Sequence, residues 1–309
     1  MKKIYKYLDV IVIVLFSIYV LLDSFVIPKA YSKVDTSSFT SDEEIESVEI
    51  IDEESNEDTL TEEIESEEII STDNEYKDEN IHIVLNTYRY ENTNIYVADV
   101  TLSDISYMQS AFASNTYGKN VTAKTSEIAE SVNAILAING DYYGARDSGY
   151  VLRNGEIYRT TSKSNQEDLV IDENGNFIII NEDEVSLEEL DNALQVYSFG
   201  PALIEGGVIA VSQNDEVGKA MASNPRTAIC QLSELHYLFV VSDGRTNESE
   251  GLSLYELATF LKGLNVTTAY NLDGGGSSTM YFNGQVINKP TTSGRNIKER
   301  SVSDVICIK

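Results

Sequence analysis

Short runs of alternating apolar and polar residues, separated by turn-forming dipeptides, constrain the possible fold most strongly. Residues 81–102 (IHIVLNTYRYENTNIYVADVTL) alternate on both sides of YENTN and predict a β-hairpin. Asn154-Gly155 and Asn174-Gly175 each separate two apolar runs and predict further hairpins. Since strands outnumber helices and hairpins connect them, we predict an α+β fold of antiparallel sheets with a few packed helices over residues 81–309.

Two segments carry apolar residues at helical spacing. In TSEIAESVNAILAING the predicted N-cap is Ser126, and the apolar positions continue from Ile128 to Leu136. LSLYELATFLKGLNV predicts an amphipathic helix whose apolar face contains Leu254, Leu257, Ala258, Leu261 and Leu264. No series of alternating strands and helices is present, which argues against a Rossmann-type fold.

The N-terminus places lysines before a long apolar run. Lys2, Lys3 and Lys6 precede the 18 residues from Val10 to Ile27, which is just long enough to span a bilayer. The positive-inside rule puts the N-terminus in the cytoplasm and the rest of the chain outside it. We therefore expect residues 1–33 to form a cytoplasmic stub and transmembrane signal anchor, with a single-pass protein in the cell membrane. A cleaved signal peptide is the alternative.

Residues 34–80 are rich in Asp, Glu, Ser and Thr and lack Gly and Pro. Sparse apolar residues and like charges predict a disordered acidic linker, which would act as a spacer, bind cations or only keep the chain soluble. The formal net charge of the whole chain is −29, which argues against a nucleic-acid partner. The two cysteines, Cys230 and Cys307, are too few for a disulfide framework, and their apolar surroundings favour buried free thiols over one disulfide.

The stretch 270–284 (YNLDGGGSSTMYFNG) places three glycines between an aspartate and three hydroxyl residues, in a predicted strand-to-strand loop. Gly274, Gly275 and Gly276 can adopt positive φ and expose backbone N–H groups, and such a nest binds anions. Ser277, Ser278 and Thr279 add hydroxyl donors, and Asp273 adds a carboxylate at the same place. This combination suits a phosphate-containing substrate, whereas the simpler interpretation is a flexible loop with a turn-forming Asp. No Lys follows the glycines, so the loop is not of the Walker type.

Other polar clusters also lie at the ends of apolar runs. Taken singly, each is typical of a turn or a salt bridge, but together they predict one cleft at the ends of several strands. Arg226 is suited to bind a phosphate through two parallel N–H bonds. The clusters are Asn139, Asp141 and Tyr142; Arg226 and Thr227; Asp243 and Arg245; and Glu299 and Arg300.

The order of these motifs resembles the phosphodiester glycosidase family over residues 81–309. The resemblance rests on NGDY at 139–142, FGPALIEGG, NPRTAIC, SDGRTNESEGLSLYELATFL, AYNLDGGGSSTMYFNGQVINKP and ERSVSD. Cys230 departs from the family, in which glycine is more common at this position. The resemblance implies a single catalytic domain that hydrolyses a sugar-1-phosphodiester, such as an N-acetylglucosamine-1-phosphodiester, to a free sugar and a phosphomonoester.

Glycoside cleavage commonly uses two carboxyl groups, and we expect Asp273 and Asp141 to serve, with Glu299 as the reserve. The expected substrate-binding residues are Arg226, Thr227, Asn139, Asn271, Gly274, Gly275, Gly276, Ser277, Ser278, Asp243 and Arg300. A phosphate leaving group needs little protonation, so stabilisation of charge outweighs the general acid in this scheme. No cofactor is expected to be required, although Asp141, Asp243 and Asp273 are candidate ligands for a divalent cation.

Two other classes of function compete with a hydrolase. A carbohydrate-binding module of the cell envelope would keep the cleft without needing the carboxylates. An assembly protein of the envelope would depend on the anchor and the acidic tract instead. A glycan or sugar-phosphodiester is the expected partner of the hydrolase, and an extracytoplasmic glycopolymer or exopolysaccharide with phosphodiester links is the expected source.

Overall fold

The computed structural model describes residues 8–34, 69–213 and 223–309. Over these ranges it has three α-helices: α1 Leu8–Phe25, α2 Thr125–Ser131 and α3 Leu254–Gly263. The strands are β1 Lys29–Ala30, β2 Ile70–Ser71, β3 Glu75–Lys77, β4 Ile81–Tyr90, β5 Thr93–Leu102, β6 Met108–Phe112, β7 Gly118–Lys119, β8 Leu136–Asn139, β9 Val151–Arg153, β10 Glu156–Arg159, β11 Glu167–Asp172, β12 Phe177–Asn181, β13 Ala193–Tyr197, β14 Ala202–Glu205, β15 Val208–Ile209, β16 Arg226–Ser233, β17 His236–Ser242, β18 Thr268–Asn271, β19 Met280–Phe282, β20 Gln285–Val286 and β21 Asp304–Ile308.

The strands form three larger sheets and one two-stranded pair, and every described pairing is antiparallel. The largest sheet has nine strands in the order β15-β14-β18-β16-β17-β5-β4-β3-β2. Two five-stranded sheets have the orders β20-β19-β8-β21-β6 and β10-β9-β13-β11-β12, and β1 pairs with β7. The prediction of antiparallel sheets with a few helices is confirmed.

The main core lies where the three larger sheets meet. Ile83 and Phe239 from the nine-stranded sheet, Ile138 and Ile306 from one five-stranded sheet, and Leu169 from the other belong to the same buried cluster. Helix α3 covers the opposite face of the nine-stranded sheet with the predicted apolar face, in which Leu257, Ala258 and Leu261 are fully buried. Ser253 caps this helix by accepting a hydrogen bond from the Glu256 amide. Cys230 and Cys307 are both buried free thiols, as predicted.

The predicted hairpins are present, but the first predicted helix is much shorter than expected. The turn at Asn154-Gly155 has φ values of 52° and 78°, as a tight hairpin requires. Helix α2 ends at Ser131, and Asn133, with φ of 54°, turns the chain away from it. Leu136 and the residues after it form the central strand β8, and Ser126 lies inside α2 rather than at its N-cap.

The N-terminal region differs from the predicted division of the chain. Strands β2 and β3 extend the nine-stranded sheet, so residues 70–77 are part of the domain and not of a linker. Most of the predicted linker, residues 35–68, lies outside the described residues. Apolar side chains of α1 are exposed from Val10 onward. Across the described ranges, no helix is both long and apolar enough to cross a membrane, so the predicted anchor is not confirmed.

Candidate functional site

The candidate site is a cleft of about 500 Å³ at one end of four neighbouring strands, β14, β18, β16 and β17. Residues from the loops and ends of these strands line it, together with the first residue of α3 and one residue that precedes β21. The lining residues are Phe199, Gly200, Pro201, Asn224, Arg226, Arg245, Leu254, Asn271, Leu272, Gly274, Gly275, Gly276 and Arg300. The structure therefore brings several of the predicted strand-end clusters to one cleft.

The glycine-rich loop crosses between two sheets. It leaves the nine-stranded sheet at the end of β18 and enters a five-stranded sheet at β19, as the predicted strand-to-strand loop. Asn139, at the end of β8, holds this loop from behind. Its side-chain amide donates to the Asp273 carbonyl at 2.6 Å, and its Oδ1 accepts from the Thr227 hydroxyl at 2.9 Å and from the Thr279 amide at 3.3 Å. Asn139 and Thr227 are fully buried, so they position the loop and do not line the cleft.

Asp273 forms an ion pair beside the cleft. Its Oδ2 lies 2.7 Å from Arg300 Nη2 and accepts a hydrogen bond from Ser277 Oγ at 2.5 Å. Arg300 Nη2 also contacts Ser277 Oγ. Burial raises the pKa of Asp273, while the charge of Arg300 and the hydrogen bond from Ser277 oppose that rise. Neither Asp273 nor Ser277 is among the lining residues, and the carboxylate is 13% exposed, so it lies next to the cleft wall that Arg300 forms.

Three arginines give the cleft a positive wall in an otherwise acidic chain. Arg226 is buried, and its Nε donates to the Leu252 carbonyl at 2.8 Å. Arg245 donates through Nε and Nη2 to Asn224 Oδ1, at 3.1 and 2.9 Å. Burial and then the positive charge of Arg300 lower the pKa of Arg245. Arg245, predicted in a strand-end cluster but not among the expected substrate-binding residues, is thus a cleft residue.

The three glycines do not all expose their amides, as the predicted anion-binding nest would require. Gly275 is the one with positive φ, at 63°, and its amide donates to the Pro225 carbonyl at 2.8 Å. Within residues 8–34, 69–213 and 223–309, the Gly274 and Gly276 amides donate to no other group. These two amides, and not all three, are therefore available to an anion.

Asn271 is a lining residue of the cleft with an unpaired acceptor. Its side-chain amide donates to the Gly200 carbonyl at 2.8 Å, whereas its buried Oδ1 has no hydrogen-bond partner among the described residues. A buried acceptor without a partner is costly.

Asp141, expected to be a second catalytic carboxyl group, lies outside the cleft lining. It is fully buried, and its Oδ2 lies 2.8 Å from Arg153 Nη2 and accepts from the Ser198 amide at 2.8 Å. Arg153 Nη2 also lies 3.0 Å from Asp304 Oδ2. Asp141 thus belongs to a buried triad with Arg153 and Asp304, and this position gives it no contact with a ligand in the cleft.

The other expected acidic residues also have structural partners. Glu299 accepts from the Ser126 amide at 3.0 Å and from the Ser126 hydroxyl at 2.6 Å, so it binds the N-terminal turn of α2. Asp243 accepts from the Lys289 amide at 2.8 Å and from the Tyr96 hydroxyl at 3.1 Å, and burial raises its pKa. Neither residue lines the cleft, and Ser278 is fully buried behind it.

The candidate metal ligands do not assemble into one site. Asp141, Asp243 and Asp273 each have the separate partners given above. Across the part of the chain that the structure describes, no three His, Cys, Asp or Glu side chains are grouped so as to hold a metal ion.

Comparison with known proteins identifies the family of the chain. The phosphodiester glycosidase family profile matches residues 132–309, which include the glycine-rich loop and the lining of the cleft. The chain belongs to the phosphodiester glycosidase family. The matched range, 132–309, lies within residues 81–309, over which the sequence resembles this family.

Individual relatives are more distant. The chain is 27% identical over 206 residues to mouse N-acetylglucosamine-1-phosphodiester alpha-N-acetylglucosaminidase, across 60% of the chain but 40% of the mouse protein. It is 37% identical over 86 residues to the human protein of the same name, across 27% of the chain and 16% of the human protein. The chain thus spans less than half the length of these relatives.

A solved structure shares the fold. The catalytic domain of the zebrafish protein of that name superposes with a TM-score of 0.59, at 21% identity, and covers 74% of the chain and 82% of the zebrafish domain. At this identity the likeness concerns the fold.

A prediction follows for Gly275. Its φ of 63° disfavours any β-branched residue, and a Cβ atom there would lie 2.8 Å from Arg245 Nη2. We expect Gly275→Val to cost about 1–3 kcal/mol of stability and to lower kcat/KM by displacing Arg245. Gly284→Val is the matched control, because Gly284 has φ of 85° but no atom within 4 Å of its Cβ position. Thermal unfolding and kcat/KM of both variants check this. Equal loss of kcat/KM in both would contradict a role for the contact with Arg245.

Proposed function

We propose that the chain is a hydrolase of sugar-1-phosphodiesters, with N-acetylglucosamine 1-phosphodiesters as the substrate class. The observation that carries this proposal is the ion pair of Asp273 with Arg300 beside a cleft that Arg226 and Arg245 also line. A carboxylate next to a cationic wall is what cleavage of an anomeric phosphodiester requires. Membership of the phosphodiester glycosidase family supports the same chemistry.

The reaction breaks the bond between the anomeric carbon and the phosphate oxygen, while a water molecule forms the new bond to that carbon and releases its proton to solvent. The electron pair of that bond goes to the phosphate, which leaves as a monoester and gains negative charge. The arginines and the unbonded Gly274 and Gly276 amides stabilise this charge as it develops. Because the leaving phosphate needs little protonation, one carboxylate beside the cleft is sufficient in this scheme, and Asp141 and Glu299 are not required to contact the substrate.

Asp273 supplies the negative charge on the sugar side. As a carboxylate it stabilises the positive charge that develops at the anomeric carbon, or directs a water molecule to that carbon. Arg300 and Ser277 hold its Oδ2, and Asn139 holds its backbone carbonyl, so the carboxylate is positioned before substrate binds. The apolar part of the cleft, with Phe199, Pro201 and Leu254, suits the face of a sugar ring.

The full-length chain is expected to convert N-acetylglucosamine 1-(methyl phosphate) to N-acetylglucosamine and methyl phosphate. In 18O-labelled water the label should enter the sugar, since the carbon–oxygen bond is the one that breaks. Activity should persist with a chelator present, because no three His, Cys, Asp or Glu side chains of the described residues are grouped so as to hold a metal ion.

Label in the phosphate would identify a phosphodiesterase that attacks phosphorus. Absence of turnover, with the sugar phosphodiester bound, would favour a carbohydrate-binding module. Loss of activity in the chelator that returns with a divalent cation would instead require a metal-dependent mechanism.

A further inference from the structure

Two carboxyl groups, those of Asp168 and Glu182, are buried together in the five-stranded sheet that contains β11 and β12. Asp168 is on β11, and Glu182 directly follows β12, the strand that pairs with β11. Asp168 is fully buried, Glu182 is 5% exposed, and their side chains are in contact. Neither residue lines the cleft, and the proposed reaction uses neither of them. Their burial in one place therefore needs its own explanation.

The two carboxyl groups differ in their hydrogen-bond partners. Glu182 Oε1 accepts from the Ser198 hydroxyl at 2.8 Å and from the Tyr150 amide at 3.1 Å, and its Oε2 accepts from the Lys163 amide at 2.5 Å. Both oxygens of Asp168 are buried, and no N–H or O–H group of the described residues donates to them. Hydrogen bonds favour the charged form and burial disfavours it, so Glu182 is the carboxylate and Asp168 the carboxylic acid. The carboxyl O–H of Asp168 can then donate to Glu182.

The surroundings of Asp168 favour its protonated form. Burial and then the charge of Glu182 raise the pKa of Asp168 to about 10. Asp141 adds negative charge, although Arg153 pairs with it. Burial lowers the pKa of Lys163, the cation that acts on Asp168. The ionisable groups that face Asp168 are those of Glu182, Asp141, Lys163, Tyr150 and Tyr270. At neutral pH the pair therefore holds one proton and one negative charge.

Ser198 connects the acid pair to the cleft. Its hydroxyl donates to Glu182, its amide donates to Asp141 Oδ2 at 2.8 Å, and its carbonyl accepts from Arg146 Nη1 at 2.7 Å. The next residue, Phe199, lines the cleft, and the Arg146 guanidinium carbon lies 4.7 Å from the centre of its ring. The position of Phe199 therefore depends on that of Ser198.

The backbone of Phe199 is also held by residues next to Asp168 in the chain. Its carbonyl accepts from Gln166 Nε2 at 3.1 Å, and its amide donates to the Tyr270 hydroxyl at 2.8 Å. That hydroxyl in turn donates to the Glu167 carbonyl at 2.7 Å. A displacement of β11 at Asp168 would therefore move Phe199 as well.

We propose that Asp168 and Glu182 share one proton and act as positioning residues for Phe199 in the cleft. When Asp168 loses this proton to solvent at alkaline pH, two carboxylates are buried side by side and repel each other. This repulsion acts on Ser198 and weakens the contact of Phe199 with the sugar. The effect on turnover rests on the proposed function, whereas the shared proton does not.

Asp168→Asn tests this proposal, because asparagine has no such proton to lose and can donate to Glu182 at every pH. With the full-length chain and N-acetylglucosamine 1-(methyl phosphate), kcat/KM of the wild type should fall by about fourfold between pH 7 and pH 10.5, mainly through a rise in KM. Over the same range kcat/KM of Asp168→Asn should fall by less than about twofold. Asp172→Asn is the matched control on the same strand, because Asp172 accepts from the Asn174 and Asn176 amides in the turn. This control should show the alkaline loss of the wild type.

Two further measurements test the shared proton without turnover. An acid whose pKa is raised in the folded protein adds stability at low pH that is lost as the pH rises toward that pKa. Asparagine avoids this loss, so the melting temperature of Asp168→Asn relative to wild type should rise by on the order of 10 °C between pH 5 and pH 8. The infrared spectrum of the wild type at pH 9 should show the C=O band of a protonated carboxylic acid, and Asp168→Asn should lack it.

The outcomes separate this proposal from the proposed function. An equal alkaline loss of kcat/KM in the wild type and in Asp168→Asn would overturn the positioning role while the hydrolase remains. Absence of the infrared band from the wild type, or a difference in melting temperature that does not grow with pH, would overturn the shared proton. A wild-type melting temperature that Ca²⁺ raises, with no response in Asp168→Asn, would also overturn it, because a cation would then lie between the carboxylates. If the wild type hydrolyses no sugar phosphodiester, the proposed function fails, and the melting and infrared measurements still decide the acid pair.

Discussion

Asp273→Asn is expected to lower kcat by about 10²-fold or more, with the fold retained. Asparagine keeps the size of the side chain and can still accept from Ser277, but it removes the charge that pairs with Arg300 at 2.7 Å. Since Arg300 is partly exposed, the loss of this pair costs little stability. The variant should therefore be slower in the chemical step, and KM should change much less than kcat.

The matched control is Asp99→Asn. Asp99 lies on β5, accepts from His236 Nε2 at 2.7 Å and does not line the cleft. This variant should keep kcat within about twofold of wild type. If Asp273→Asn also kept nearly all of its kcat, Asp273 would be a structural residue of the loop and the catalytic assignment would be wrong.

The pH profile gives a second check on Asp273. Burial raises its pKa, and the proposed role requires the carboxylate. Activity should therefore fall as the pH is lowered through this raised pKa, at a higher pH than for an ordinary aspartate. The residual activity of Asp273→Asn should lack this acidic limb. An activity that instead falls as the pH rises through the same pKa would make Asp273 a general acid.

Local signals explain why much of the fold is predictable from the sequence. Asn154, Gly155 and Gly175 have positive φ values, which few other residues adopt readily, so the two hairpins follow directly from their Asn-Gly pairs. The ends of neighbouring strands share one edge of a sheet, so the convergence of Arg226, Asn271 and the glycine loop on a cleft is also predictable. These inferences need only local chemistry and the geometry of a sheet.

Other features depend on contacts between distant segments. The apolar spacing of Ile128 to Leu136 continues beyond Asn133, but Leu136 pairs with β19 and β21 and becomes a strand. Tertiary pairing therefore overrides the helical pattern. Asp141 has the residue type and location of a catalytic carboxyl group, and only the packing of β9 against β21 shows that Arg153 neutralises it. Nothing local to the sequence indicates that Arg153, next to a turn, is buried.

Arg153→Met is expected to destabilise the protein by about 3–5 kcal/mol, because it leaves two carboxylates buried without their counter-charge. Arg153 is 1% exposed, and its Nη2 lies 2.8 Å from Asp141 and 3.0 Å from Asp304. Its guanidinium also packs over the Tyr197 ring at 4.1 Å, and the methionine side chain would partly replace this packing. The melting temperature should fall by on the order of 10 °C. Arg159→Met is the control, because Arg159 donates to the Gly149, Tyr143 and Arg146 carbonyls but pairs with no carboxylate among the described residues.

The pH dependence of the Arg153→Met defect tests its cause. Burial raises the pKa of Asp304, and the charge of Arg153 opposes this rise. A carboxyl group with a raised folded pKa contributes stability at low pH that is lost as the pH rises through that pKa. Removal of Arg153 raises the pKa further, so the deficit in melting temperature should be larger at pH 8 than at pH 5. Arg159→Met should show a smaller deficit that is the same at both values. If the Arg153→Met deficit did not grow with pH, lost packing against Tyr197 would explain it. The buried charges of Asp141 and Asp304 would then not be the cause of the defect.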